Sequence, residues 1–181
     1  MNMETEKVIL VDRLDKQLGE MEKMEAHKKA LLHRAFSIFV FNGEGKLMMQ
    51  QRAKNKYHSP GLWTNTCCSH PRPGETLEEA THRRLPEEMG FDCEIEKAFD
   101  FIYKADVGQG LTEHEFDHVF VGKTDKLPEI NSDEVESWKY MSLEEIKRAL
   151  KEQPDDFTVW FKIAFDELYK YMQIKNKGKL L

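Results

Sequence analysis

Thr64-Asn65-Thr66-Cys67-Cys68-Ser69-His70-Pro71 runs into Gly74-Glu75 and then into Arg83-Arg84-Leu85-Pro86-Glu87-Glu88-Met89-Gly90-Phe91. A thiol, Cys68, and an imidazole, His70, are delivered to the mouth of a segment that carries paired carboxylates. Thr76 followed by Glu79 has the form of a capping box, and Gly90 is a natural helix stop. Leu77, Ala80, Thr81, Leu85 and Met89 form a narrow stripe, so the spacing predicts a helix over 77–89. Pro86 conflicts with it, because an interior proline removes a backbone donor and costs about 3 kcal/mol or bends the helix. The combination points to metal-assisted chemistry on a phosphorylated small molecule.

Outward from this stretch the chain alternates strands and helices. Val8–Val11 is a short strand, and residues 15–32 are charged with scattered apolar positions, expected as a loop leading to a helix. Phe36–Phe41 is a strongly apolar strand; Asn42-Gly43-Glu44-Gly45 is turn chemistry that predicts a hairpin with 47–52. Trp63–Cys68 is a further strand, followed beyond the helix by strands near 93–104, 115–123 and 136–141. Ser142 and Glu145 form a second capping box for a helix to Leu150. Asp155 or Asp156 is expected to cap a last helix, whose apolar positions Phe157, Trp160, Phe161, Ala164, Phe165, Leu168, Tyr169 and Met172 make one buried face. This order predicts a single α/β (α+β) domain, a mixed sheet flanked by helices.

The chain has 181 residues, 40% hydrophobic and 33% charged, with net charge -6. No basic footprint for nucleic acid is present. An anionic substrate therefore needs locally placed cations or metal. No apolar run approaches the ~20 residues of a membrane span, and the N-terminus lacks the apolar core of a signal peptide. Three cysteines, two of them adjacent, make no disulfide framework, so a cytoplasmic setting is expected.

The helical stretch can be a solvated face laced by pairs such as Glu79/Arg83, Arg83/Glu87 and Arg84/Glu88. It also resembles the Nudix box, with Glu75, Arg83, Leu85, Glu87, Glu88, Gly90 and Phe91 in register. Physically, a helix with several Glu at one end holds Mg²⁺ against a diphosphate. Ser69 stands where that motif has its first Gly, and Arg84 where it has a Glu that commonly binds metal or activates water. An arginine has no acceptor; Arg84 could instead neutralise a diphosphate.

Three more features carry chemistry. Glu113, Glu115 and Asp117 share one strand face, either as an exposed acidic edge or as an enclosed set requiring a cation. Among the histidines, His27, His33 and His70 are candidate ligands that spacing alone does not separate from His58, His82, His114 and His118. With Glu113 and Glu115 they would suit a divalent ion such as Mn²⁺ or Zn²⁺, several oxygens leaning toward Mn²⁺ or Mg²⁺. Cys68 is either a small buried hydrophobe or an acid/base thiol beside His70.

Together, Trp63–Pro71, Glu113-His114-Glu115 and the divergent box resemble the type I isopentenyl-diphosphate isomerases, Nudix-fold enzymes, over nearly the whole chain. The resemblance implies a Nudix domain over 34–181 with C-terminal helices. It also implies an extension over 1–33 that packs on the core and contributes metal ligands. It implies that Cys68, rather than Cys67, is catalytic, opposite Glu115 with Tyr103 beside it. The divalent site maps to His27, His33, His70, Glu113 and Glu115, with Mg²⁺ and Mn²⁺ as the expected ions, the Mg²⁺ on the diphosphate involving Glu88. Lys23, Arg52, Lys56 and Arg84 would bind the diphosphate, and Trp160 would lie at the hydrocarbon end or, on its own helix pattern, simply pack in the core. The implied reaction is a 1,3-allylic proton shift from isopentenyl to dimethylallyl diphosphate, a small-molecule substrate. Alternatives are a Nudix hydrolase of a diphosphate compound and a metal-stabilised binding module without turnover.

Overall fold

The apolar run ending at Phe41 is the centre of the sheet in a computed structural model that describes residues 6–178. The outermost parts of the two expected segments, 1–5 and 179–181, lie outside the described residues. Strand β3, His33–Phe41, is buried on both faces: Phe36, Ile38 and Val40 point into one core cluster, Phe39 and Phe41 into another. Continuous apolar sequence is what a strand covered on both sides requires. β1 (Lys7–Val11) pairs antiparallel with β2 (Gln17–Glu22) and touches β3 at Leu10↔His33. β4 (Leu47–Arg52) pairs with β5 (Trp63–Thr64), and β6 (Cys67–Ser69) pairs with β3. The long hairpin β7 (Ile95–Gly108) and β8 (Leu111–Lys123) joins through a parallel β3–β8 ladder that aligns His33 with Glu115. β9 (Val135–Met141) closes the nine-stranded sheet against β4.

Helix α1 (Lys23–Lys28) follows β2 directly. Helix α2 (Leu77–Met89) seals one face of the sheet through Ala80, Leu85 and Met89. Helix α3 (Leu143–Glu152) buries Ile146. Helix α4 (Val159–Gly178) seals the other face with Trp160, Phe161, Ala164, Phe165 and Leu168, all at most 3% exposed. Each large side chain so buried contributes about 1.5–3 kcal/mol, which makes that face the main anchor of the C-terminal region. Both capping boxes form, at Thr76/Glu79 and Ser142/Glu145. α2 runs through Pro86, whose ring sits on the exposed side. Gly90 ends it at φ 73°, and an added Cβ there would lie 2.3 Å from the Glu129 carbonyl oxygen. Both the left-handed backbone and the close approach therefore demand glycine.

The structure departs from the sequence reading in four places. Residues 15–32 are not a loop and helix alone: 17–22 form β2, an edge strand whose polar, mostly accessible pattern carries no alternation signal. β3 and β4 share only the pair Phe41↔Leu47, since beyond the turn each finds another partner, β8 and β9. Residues 63–68 break into two short strands on different neighbours. Asp155 and Asp156 lie in a 3-10 turn, Pro154–Asp156, and α4 begins at Val159, with the Thr158 carbonyl accepting from Lys162 N.

Candidate active site and metal centre

Alternation along β8 sends Glu113, Glu115 and Asp117 to the α4 face of the sheet, where all three are buried. The exposed-edge alternative is thereby removed. β3 sends His33 and Ser37 to that same face, and the parallel register sets His33 beside Glu115. β7 places Tyr103 opposite Glu115; its hydroxyl lies 2.8 Å from Glu113 Oε2 and 2.7 Å from Glu115 Oε2, its one proton shared between the two carboxylates. α1 brings His27, and β6 leads into His70, whose Nε2 is 2.9 Å from Glu115 Oε1. The strand pleat also separates the cysteines: Cys67 is buried in the α2 cluster, whereas Cys68 packs with the α4 cluster and lines the cavity.

One cavity gathers the expected site residues. Lys23, Arg52, Lys56, Cys68, His70, Arg84, Glu88, Tyr103, Glu113, Glu115 and Trp160 all line it. His27 and His33 stand behind them, and one ligand atom from each of His27, His33, His70 and Glu115 lies within 4.8 Å of the others. Glu113 falls instead into a second such group, with His27 and His58.

The donor chemistry fits a divalent ion. His27 Nδ1 meets the Lys23 carbonyl at 2.7 Å and His33 Nδ1 meets the Leu31 carbonyl at 2.8 Å. A carbonyl only accepts, so each Nδ1 carries a proton and the neutral ring's lone pair is on Nε2. Those two Nε2 atoms are buried without a well-formed hydrogen bond, a costly state that a metal would relieve. That of His33 lies 3.5 Å from Glu115 Oε1; burial opposes the charged ring, but this carboxylate outweighs it and raises the ring's pKa. Burial, helped by nearby His70, pushes His27 down to about 4, so this ring is neutral and ready to ligate. Burial opposes ionisation of Glu115, but the imidazoles of His33 and His70 outweigh it and hold the carboxyl well below the usual range. The Cys68 thiol is pushed up by burial, as is the Tyr103 phenol, so both keep their protons at neutral pH.

At the opposite end the box residues form a charged lattice. Glu75 takes a two-point contact from Arg83, at 2.6 and 2.9 Å, in place of the Glu79/Arg83 pair; Glu79 is occupied in the capping box. Arg84 reaches Glu87 at 2.8 Å and also Glu88, which receives the Gln50 amide at 2.9 Å. Lys23 pairs with Glu6, and Lys56 with Glu134. Arg52 has no carboxylate partner among the described residues; its guanidinium lies over Trp160, 5.2 Å from the ring centroid. Sequence reasoning named His58 without selecting it and passed over Glu6 and Glu134. Their partners are distant in sequence and nothing local marks them, apart from the turn-rich loop that holds His58.

Residues 31–161 match the NUDIX domain family. The isopentenyl-diphosphate Delta-isomerase 2 of Photorhabdus laumondii is 50% identical over 96% of this chain and 98% of its own length. Its counterpart from Aromatoleum aromaticum is 48% identical over 96% and 92%, and the enzyme of Aliivibrio fischeri 41% identical over 95% and 99%. Among solved structures, DR0079 from Deinococcus radiodurans superposes with a TM-score of 0.68 at 19% identity, covering 82% of this chain and 90% of that one, a likeness of fold. The box with its arginine, the cysteine beside the histidine and near-full-length identity agree: the chain belongs to the isopentenyl-diphosphate Delta-isomerases of the NUDIX superfamily.

Proposed function

We propose that Cys68 and Glu115, with Tyr103, form the acid/base pair that moves a proton across the allylic system of isopentenyl diphosphate to give dimethylallyl diphosphate. The observation that carries this reading is their arrangement: Cys68 and Glu115 line the same largely buried cavity, with the Tyr103 hydroxyl 2.7 Å from Glu115 Oε2. One group protonates the terminal alkene carbon, giving a tertiary cation; the other removes a proton from C2. The pair ends with its proton exchanged, so no external acid or base is consumed, and the reverse reaction uses the same groups in opposite roles. Tyr103 Oη, donating to Glu115, can hold or pass the proton at that carboxylate. The Trp160 indole offers its face to developing positive charge.

His27, His33, His70, Glu113 and Glu115 would hold a divalent ion, Mn²⁺ or Mg²⁺, and Glu88 a Mg²⁺ that accompanies the diphosphate. Such ions would supply charge that sets carboxylate protonation and neutralises phosphate. Lys23, Arg52, Lys56 and Arg84 would orient the diphosphate, using remote binding energy to place a small hydrocarbon. Residues 1–33 then act as an extension that supplies Lys23 and His27. Three free cysteines suit a reducing compartment, the cytoplasm. No described helix is long and apolar enough to cross a membrane.

Incubation in heavy water with added Mn²⁺ or Mg²⁺, followed by proton NMR, tests the reading. Deuterium should enter the allylic positions with the wild type and the Cys67→Ala variant. Cys68→Ala should lose at least ~100-fold in rate. No exchange by the wild type, or loss confined to Cys67→Ala, would overturn it.

A further inference from the structure

His58 is an imidazole in the cavity wall, 3% exposed, to which the reaction above gives no task. Its Nε2 lies 3.0 Å from Glu113 Oε1. Two lone pairs would repel at that separation, so Nε2 carries the proton, and Nδ1 faces Ser59 Oγ at 3.4 Å. Glu113 Oε2 is taken by Tyr103, leaving His58 as the group that fixes the other oxygen. The ring is itself held firmly. It meets Trp160 edge-on at 5.6 Å and Tyr57 at 4.5 Å, both near perpendicular. Its carbonyl accepts from Arg52 Nη2 at 3.1 Å, and Ser59 follows in the left-handed region at φ 48°. A non-glycine residue there is costly and persists where the surroundings over-determine the loop.

We propose that His58 is a positioning residue that locks the Glu113 carboxylate, through its Nε2, in the orientation needed to share a divalent ion with His27. The proposal rests on the metal reading above. A carboxylate with each oxygen already held by a hydrogen bond keeps further lone pairs for an ion and loses less freedom on binding, and such outer partners are typically worth about 10–100-fold in metal affinity. His58 thereby also joins the metal centre to the hydrocarbon wall, since the same ring braces Trp160.

The test is Co²⁺ binding to the full chain, read by competition with a chelating fluorophore and by the d–d absorption of the bound ion. His58→Ala should bind Co²⁺ about 10–100-fold more weakly, with d–d bands of unchanged position and intensity, in a metal-free protein that still unfolds cooperatively. His58→Gln, whose amide nitrogen can stand where Nε2 stood, should regain most of the affinity. Should the alanine variant fail to fold, His58→Leu, which fills the space without a donor, takes its place. Equal affinity in wild type and variant overturns the proposal, and altered d–d bands overturn it in favour of His58 as a direct ligand. A wild type that takes up no Co²⁺ overturns the metal reading and this inference together, whereas normal uptake insensitive to His58 overturns this inference alone.

Discussion

At one end of the cavity His27 and His33 bury ring nitrogens that have no hydrogen-bond partner, beside His70 and Glu115. At the other, Lys23 lies on Glu6, Lys56 on Glu134, and Arg84 on Glu87, Glu88 and, at 3.5 Å, Glu134. The first end is short of a positive charge and organised around its lack. At the second, each of these cations is already held by a carboxylate. A cation entering the histidine end would meet two unpartnered ring nitrogens and displace only the His70–Glu115 contact, whereas an anion at the other end must displace several carboxylates or arrive with its own metal. Arg52 is the exception there, a cation without a carboxylate partner among the described residues.

The contrast can be broken most strongly at the histidine end. His70→Ala removes a proposed ligand and the 2.9 Å partner of Glu115 together, so stoichiometric uptake of Mn²⁺ and turnover should each fall by at least ~100-fold. Elemental analysis after gel filtration, beside the isotope assay, would check this; full metal content in the variant would dissolve the distinction between the two ends. A smaller effect of opposite sign is expected at the phosphate end. Glu6→Gln frees Lys23, and inorganic pyrophosphate should then bind a few-fold more tightly by calorimetry, because an exposed pair is worth only about 0.2–1 kcal/mol. Weaker binding would mean that Glu6 aligns the lysine rather than competing for it.

The smallest effect concerns acid stability. Burial favours the neutral form of Glu134, but Lys56 and Arg84 outweigh it and hold the carboxyl below its usual range. A depressed folded-state pKa contributes stability that is present above the unfolded value, about 4.3, and is lost as pH falls through the lower folded value. Glu134→Gln lacks this contribution, so it should lose less stability than the parent between pH 5 and 3. Because the pair is partly exposed, the difference should stay below about 1 kcal/mol, measurable as a shift in urea midpoint. Parallel pH profiles would show the lattice to be energetically silent.

How much of this was legible in the sequence follows from the range of the interactions. The capped helix α2, the register of the box and the one-faced row Glu113, Glu115 and Asp117 are written in spacings of two to four residues, and all are present. The choice between Cys67 and Cys68 came through family resemblance alone; the pleat of β6 puts the two on opposite faces, with Cys68 on the cavity side. β2 was hidden because a polar edge strand owes its existence to β1 and has little pattern of its own. The pairs Lys23–Glu6, Lys56–Glu134 and His58–Glu113 were hidden for another reason: each depends on how the chain's parts meet, which no local spacing encodes.

The parallel ladder between β3 and β8 makes His33 and Glu115 neighbours across a long excursion of chain. A slip of one residue in that ladder would set His33 against His114 or Phe116, side chains belonging to the other surface of the sheet, and would leave the core equally disordered. Chemistry and packing thus share a single alignment, so a folding error of one step cannot yield a stable but inactive molecule. An ion bound between these strands would reward the correct alignment alone, acting on assembly as a proofreader as well as on the substrate.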